Sequence, residues 1–113
     1  MKGAATFWTT AYRNDAGRRA RPPDPRGVPT ISWFYGVTIR MYWADHAPPH
    51  FHAIYAGHEA VIAIETATVI RGVLPARAKA LTLEWSILHR EELLANWELC
   101  ARNQTPKRIR PLD

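Results

Sequence analysis

The stretch His50-Phe51-His52-Ala53-Ile54-Tyr55-Ala56-Gly57-His58-Glu59-Ala60-Val61-Ile62-Ala63-Ile64 decides the fold. It reads as two strands, His50 to Ala56 and His58 to Thr66, turned back on each other at Ala56-Gly57, where glycine supplies the positive φ of a tight hairpin. Phe51, Ala53 and Tyr55 share one face, as do Ala60, Ile62 and Ile64, and these are the expected core faces. Upstream, Val37, Ile39, Met41 and Trp43 alternate with Thr38, Arg40, Tyr42 and Ala44, the period of a strand with one buried side. Thr30 to Ala44 is β-branched and aromatic with Gly36 as the only interruption, so two strands meeting at Gly36 and one bulged strand both satisfy it. Asp45 to Pro49 is loop, because neither proline can donate to a ladder and each restricts the residue before it. Thr68 to Ile70 adds a short strand before Arg71-Gly72 turns the chain.

Beyond it the period changes. Pro75 suits the first turn of a helix, where its missing N–H needs no partner. Ala78, Leu81, Trp85 and Leu88 then follow three- and four-residue spacing, while Leu93, Leu94, Trp97 and Cys100 form a stripe rotated away from them. That rotation predicts a bend or break near His89-Arg90. Gln104, Thr105 and Pro106 end the helical segment, and Lys107 to Arg110 form a short basic stretch whose Ile109 can pair at a sheet edge. The expectation is a single α+β domain over residues 28–113, with a small antiparallel sheet of three to five strands followed by a bent or broken C-terminal helical segment.

The 113 residues carry a formal net charge of +5. Residues 1–27 hold six Lys/Arg against two Asp/Glu, a surplus of four, whereas residues 28–113 hold nine against eight. The sequence pI of about 9.9 is therefore mostly a property of the N-terminal stretch. Asn14 to Gly27 lacks large apolar side chains, so residues 1–27 read as a disordered basic extension. Val28-Pro29-Thr30-Ile31 is the alternative start, through a valine codon read as methionine; the competing reading is a basic arm that meets nucleic acid or another acidic partner. Apolar runs are short, no secretion signal is evident, and the lone Cys100 excludes an internal disulfide. No membrane association is expected, and the cytoplasm is the expected compartment.

Chemistry concentrates at Asp45-His46-Ala47-Pro48-Pro49-His50-Phe51-His52. Residues i and i+2 of a strand project to one side, so His50 and His52 converge. His46 precedes a stiff Pro-Pro corner, and Asp45 can be a ligand or fix an imidazole tautomer. Asp45, His46, His50 and His52 are thus candidate ligands for zinc or another borderline divalent ion. Alternatively His46, His50 and His52 are candidate catalytic groups for metal-free RNA cleavage, with Arg40 or Arg71 stabilising phosphate charge. The bland competitor places His50 and His52 on the solvent face of an edge strand, hydrogen-bonded to Asp45, Tyr42 or Glu65. His58 and Glu59 extend the polar set.

Most of Trp33, Trp43, Trp85 and Trp97 suit a core better than a nucleic-acid stacking platform, given their periodic placement and the near-neutral domain. Cys100 reads as a small buried hydrophobe. Tyr42, His50, His52, Glu84, Arg90 and Glu91 are the candidate contacts for a protein partner.

At Pro29-Thr30-Ile31-Ser32, Asp45 to Ala53, Glu59-Ala60-Val61-Ile62 and Leu88 to Trp97 the chain resembles a small bacterial family known as domain of unknown function 4160, over about Val28 to Leu112. Its members typically begin Met-Pro-Thr-Ile and are often encoded beside a second small domain, a pairing that resembles toxin–antitoxin operons. The resemblance implies a protein partner encoded by a neighbouring gene and carries no established reaction; a small protein-binding, regulatory domain rather than an enzyme is the expectation, with the histidine site as metal centre or ribonuclease the alternative. Ile54 and Ala63 depart from it, since acidic residues are frequent there in relatives.

Overall fold

The structure, a computed structural model, describes residues 28–113, so the expectations for residues 1–27 lie outside the described residues. Strands β1 (Thr30–Phe34), β2 (Val37–Arg40), β3 (His50–Tyr55), β4 (His58–Ala63) and β5 (Thr68–Gly72) pair antiparallel in chain order, and helices α1 (Ala76–Leu88) and α2 (Arg90–Ala101) follow. The fold is α+β. Of the two alternatives left open around Gly36, two strands meeting there is the one realised; the β1–β2 register also shifts between Thr30 and Ser32, away from the turn. Tyr35-Gly36 and Ala56-Gly57 each show two successive positive φ values, 47° and 83° in the first and 47° and 84° in the second. That is the backbone twist that lets two strands turn back without splaying.

One face of the sheet is the core. Ile31, Phe34, Val37, Ile39, Met41, Phe51, Ala53, Ala60, Ile62 and Ile64 are buried on it with Trp85, whose indole lies 5.3 Å from the Phe34 ring and 5.7 Å from the Phe51 ring. Such offset aromatic contacts add to the area that so large a side chain removes from water. The buried side of α1 is Ala78, Thr82, Trp85 and Ser86 rather than the expected Ala78, Leu81, Trp85, Leu88. Leu88 is 64% exposed because the helix breaks at His89 immediately after it, leaving its last turn overhanging. On α2 the buried residues are Leu93, Asn96 and Cys100, with Leu94 and Trp97 half-buried against the core. Burial pushes the Cys100 thiol up to about 12, so it stays a protonated apolar group.

Polar side chains then strap the C-terminal segment down. Asn96 donates from Nδ2 to the Lys107 carbonyl and accepts the Lys107 N–H at Oδ1, both at 2.8 Å. Trp85 Nε1–H donates to the Arg110 carbonyl at 2.8 Å, and the Ile109 N–H donates to the Ile31 carbonyl at 2.8 Å. Ile109 thereby covers the outer edge of β1, as its position in the sequence suggested.

Gly72 ends β5 at φ +82°, where a Cβ would lie 2.1 Å from the Glu59 carbonyl oxygen; at Gly57, φ +84°, a Cβ would meet nothing within 4 Å. Gly57→Ala should cost about 1–2 kcal/mol for the left-handed backbone alone. Gly72→Ala should cost about 1–3 kcal/mol more, because β4 must also move. Urea denaturation of the two variants checks this, and equal losses would contradict the close approach of β5 to β4.

Candidate metal centre

The strand order makes β3 the middle strand, so its histidines do not lie on an edge as the bland reading had them. Phe51 and Ala53 point into the core, which sends His50, His52 and Ile54 to the other face. His50 and His52 are each only 6% exposed. Burial follows from neighbours: His50 is paired with Ala63, His52 with Arg40 and Val61, and aromatic rings pack on both imidazoles. Tyr42 stacks on His52 with centroids 4.3 Å apart and planes 10° from parallel, and Trp97 lies 5.0 Å from His50.

The loop after β2 brings Asp45 over these rings. It is stapled on both sides: the Ala44 N–H donates to the Cys100 carbonyl at 3.1 Å, Trp43 Nε1–H donates to the Gln104 carbonyl at 3.0 Å, and the Ile64 N–H donates to the Pro49 carbonyl at 3.0 Å. Ala44 adopts φ 51° and the Ala47–Pro48 peptide is cis. Asp45 turns inward and accepts the His46 N–H at Oδ1, 2.8 Å, while the His46 residue is exposed and its ring is not among the converging donors.

The hydrogen bonds fix the tautomers. His50 Nδ1 lies 2.7 Å from the Pro48 carbonyl, which can only accept, so Nδ1 carries a proton. His52 Nδ1 lies 3.0 Å from Glu59 Oε2 and donates to that carboxylate. Both Nε2 atoms are left facing Asp45 Oδ2, at 2.9 Å from His50 and 3.6 Å from His52. His52 Nε2 is buried and has no hydrogen-bond partner. One donor atom from each of Asp45, His50 and His52 falls within 4.8 Å of the other two. A metal ion held at about 2.0–2.2 Å from nitrogen and oxygen donors sets neighbouring donors about 3.0–3.5 Å apart, and the two measured separations bracket that spacing. Nδ1–H donated to a carbonyl or carboxylate while Nε2 faces inward is the arrangement that orients ligating histidines.

Of the residues singled out in the sequence, the structure brings Asp45, His50 and His52 together and leaves His46 outside. Tyr42 belongs to the site's wall, whereas Glu84, Arg90 and Glu91 are exposed on the helices. Ile54 and Ala63 both lie on the histidine face, Ala63 directly opposite His50. The part played by Glu59 was missed, although a two-residue turn at Ala56-Gly57 pairs His52 with Val61 and so puts Glu59 on the same face. Trp97 gave no sequence signal beyond its core periodicity.

Burial pushes the Asp45 pKa upward, but the His46 N–H and then the His50 and His52 side chains outweigh it and hold the carboxyl below its ordinary 3.8. A lowered native pKa stabilises the fold fully above the unfolded value and loses that contribution as pH falls through the native one. The stability advantage of the metal-free protein over Asp45→Asn should therefore be widest above the carboxylate range and shrink below it. Thermal unfolding against pH checks the sign, and a gap that widens on acidification would contradict it.

The family model described as Domain of unknown function (DUF4160) matches residues 36–98 of this chain. Searches of curated proteins and of solved structures returned no match. The matched span runs from the β1–β2 turn to the last turns of α2 and contains Asp45, His50, His52 and Glu59. The chain belongs to the DUF4160 family.

Proposed function

We propose that this member of the DUF4160 family binds a borderline divalent metal ion, zinc or one like it, through Asp45, His50 and His52. The observation that carries this reading is the orphaned Nε2 of His52, buried and aimed at a carboxylate oxygen that His50 already engages. An added proton on His50 satisfies one of the two contacts. It leaves the second nitrogen without a partner, a cost of about 1–3 kcal/mol for a buried polar group. A cation between the three donors satisfies all of them at once. Two imidazoles and one carboxylate suit zinc, iron(II), cobalt or nickel better than magnesium or calcium, which favour all-oxygen shells. With three protein ligands the ion keeps open positions, where it would act as a Lewis acid toward an oxygen of a bound molecule. Metal-free acid–base cleavage of RNA fits less well, since both available nitrogens face Asp45 rather than an approaching substrate.

A second reading, binding of a small protein encoded by a neighbouring gene in a toxin–antitoxin-like pair, is favoured by a different feature. No described strand pairs with the outer edge of β5, whose one charged residue is Arg71, and Ile70 (49% exposed) and Val73 (69%) stand beside it. A partner that adds a strand there would use the backbone groups of β5 without touching the histidines. Both readings suit a regulatory domain whose partner surface and metal centre are separate. Among the described residues no helix is long and apolar enough to cross a membrane.

Elemental analysis of untagged protein should find close to one divalent metal per chain. His50→Ala and His52→Ala should abolish retention, His46→Ala should leave it unchanged, and Glu59→Gln should weaken affinity about 10- to 100-fold by releasing the His52 tautomer. Stoichiometric metal in the His50→Ala/His52→Ala double variant, or loss of metal in His46→Ala alone, would overturn the assignment.

A further inference from the structure

A cleft of about 600 Å³ lies between α2 and the C-terminal segment. Its helical wall includes Glu92, Ala95 and Leu99, spaced three and four residues apart and so stacked along one side of α2. At 3.6 residues per turn, Trp97, which packs on His50, stands on roughly the opposite side of the helix. None of Asp45, His50 or His52 lines the cleft, so it is separate from the metal centre.

The other wall is Lys107, Arg108 and Ile109. This segment is pinned at two points, by the paired bonds between the Asn96 amide and the Lys107 backbone and by the Ile109 N–H on the Ile31 carbonyl. The two walls are therefore fixed relative to each other. Because Asn96 commits both ends of its amide to Lys107, the surface left to a ligand is mainly aliphatic, supplied by Ala95, Leu99 and Ile109. Small-molecule sites commonly occupy about 300–1,000 Å³ and combine an apolar lining with a few polar groups, and this cleft matches both properties.

Charge at the rim narrows the ligand. Glu92 is tied to the His89 ring at 2.5 Å, Glu98 faces Arg102 at 4.0 Å, and Arg108 already has a partner. The Lys107 ammonium is the uncommitted charge of the lining, with no ion-pair partner among the described residues. One cation beside an aliphatic surface suits a ligand with an apolar body and a single anionic head. A phosphate dianion would bring two charges to that one cation, and the surplus would be repelled by Glu92 and Glu98; a carboxylate brings one.

We infer that this cleft binds an aliphatic monocarboxylate, its chain along Ala95, Leu99 and Ile109 and its head on the Lys107 ammonium. The site stands or falls independently of the metal reading. Apolar contact supplies most of the affinity, and Lys107 selects the sign of the head group.

The test is methyl NMR titration of the full chain with hexanoate, octanoate and octylammonium, repeated with octanoate on Lys107→Gln and on Ala95→Phe. Both substitutions fall at exposed positions, and the second fills the cleft. The expected result is saturable shifts of the Leu99 and Ile109 methyls, with affinity rising about two- to fourfold for each methylene added between hexanoate and octanoate. Octanoate should bind about threefold or more tightly than octylammonium, and Lys107→Gln should weaken octanoate by a similar factor. Ala95→Phe should abolish the shifts while amide spectra show the fold intact. Absence of saturable shifts, affinity indifferent to chain length, octylammonium bound as well as octanoate, or octanoate bound undiminished by either variant would each overturn the inference.

Discussion

Two imidazole rings on one strand have their Nδ1 protons committed elsewhere, one to the Pro48 carbonyl and one to Glu59, so their remaining nitrogens must share a single carboxylate. That constraint organises the polar half of this domain. A neutral imidazole presents a lone pair at Nε2, and a carboxylate oxygen presents another, so bringing three such atoms together out of water requires a positive charge among them. A single proton serves only the shorter contact. Both Nε2 atoms face Asp45 Oδ2, at 2.9 and 3.6 Å, and it is this crowding that the proposed cation would relieve.

The rest of the fold can be read as what keeps that arrangement from relaxing. Asp45 sits on a loop, the part of a chain least able to hold a precise position unaided. Here the loop is tied to the last turn of α2 through Ala44 and Cys100, and to the chain beyond it through Trp43 and Gln104. The same helix presses Trp97 against His50. The C-terminal segment is in turn clamped by Asn96 and paired to β1 through Ile109, so the helices and the sheet are closed around the loop rather than merely stacked. A loop with this much support is held to a geometry that its own short sequence could not specify.

Much of this was legible beforehand, and the failures have physical causes. Alternation placed Phe51, Ala53, Ala60, Ile62 and Ile64 in the core and sent His50 and His52 to one side, because the period of a strand is fixed by its pleat. Their burial was not legible: whether β3 lies at an edge or in the middle depends on pairings with β2 and β4 that no local pattern states. His46 and Asp45 are neighbours in sequence and diverge in space, since adjacent residues in a tight loop share no face. Leu88 fits the helical stripe of α1, but periodicity cannot say where the helix runs off the sheet. The angle taken after His89, which brings Trp97 to His50, is a tertiary outcome with no sequence signature of its own.

Side-chain nitrogen NMR of the histidines, recorded on metal-free protein and again after one equivalent of zinc, tests the central claim most directly. Protonated Nδ1 on both His50 and His52 throughout, with both Nε2 resonances moving to metal-bound positions on zinc addition and His46 unchanged, is the expected result. Spectra in which either ring carries its proton on Nε2 alone, or in which zinc leaves both rings unperturbed, would contradict it.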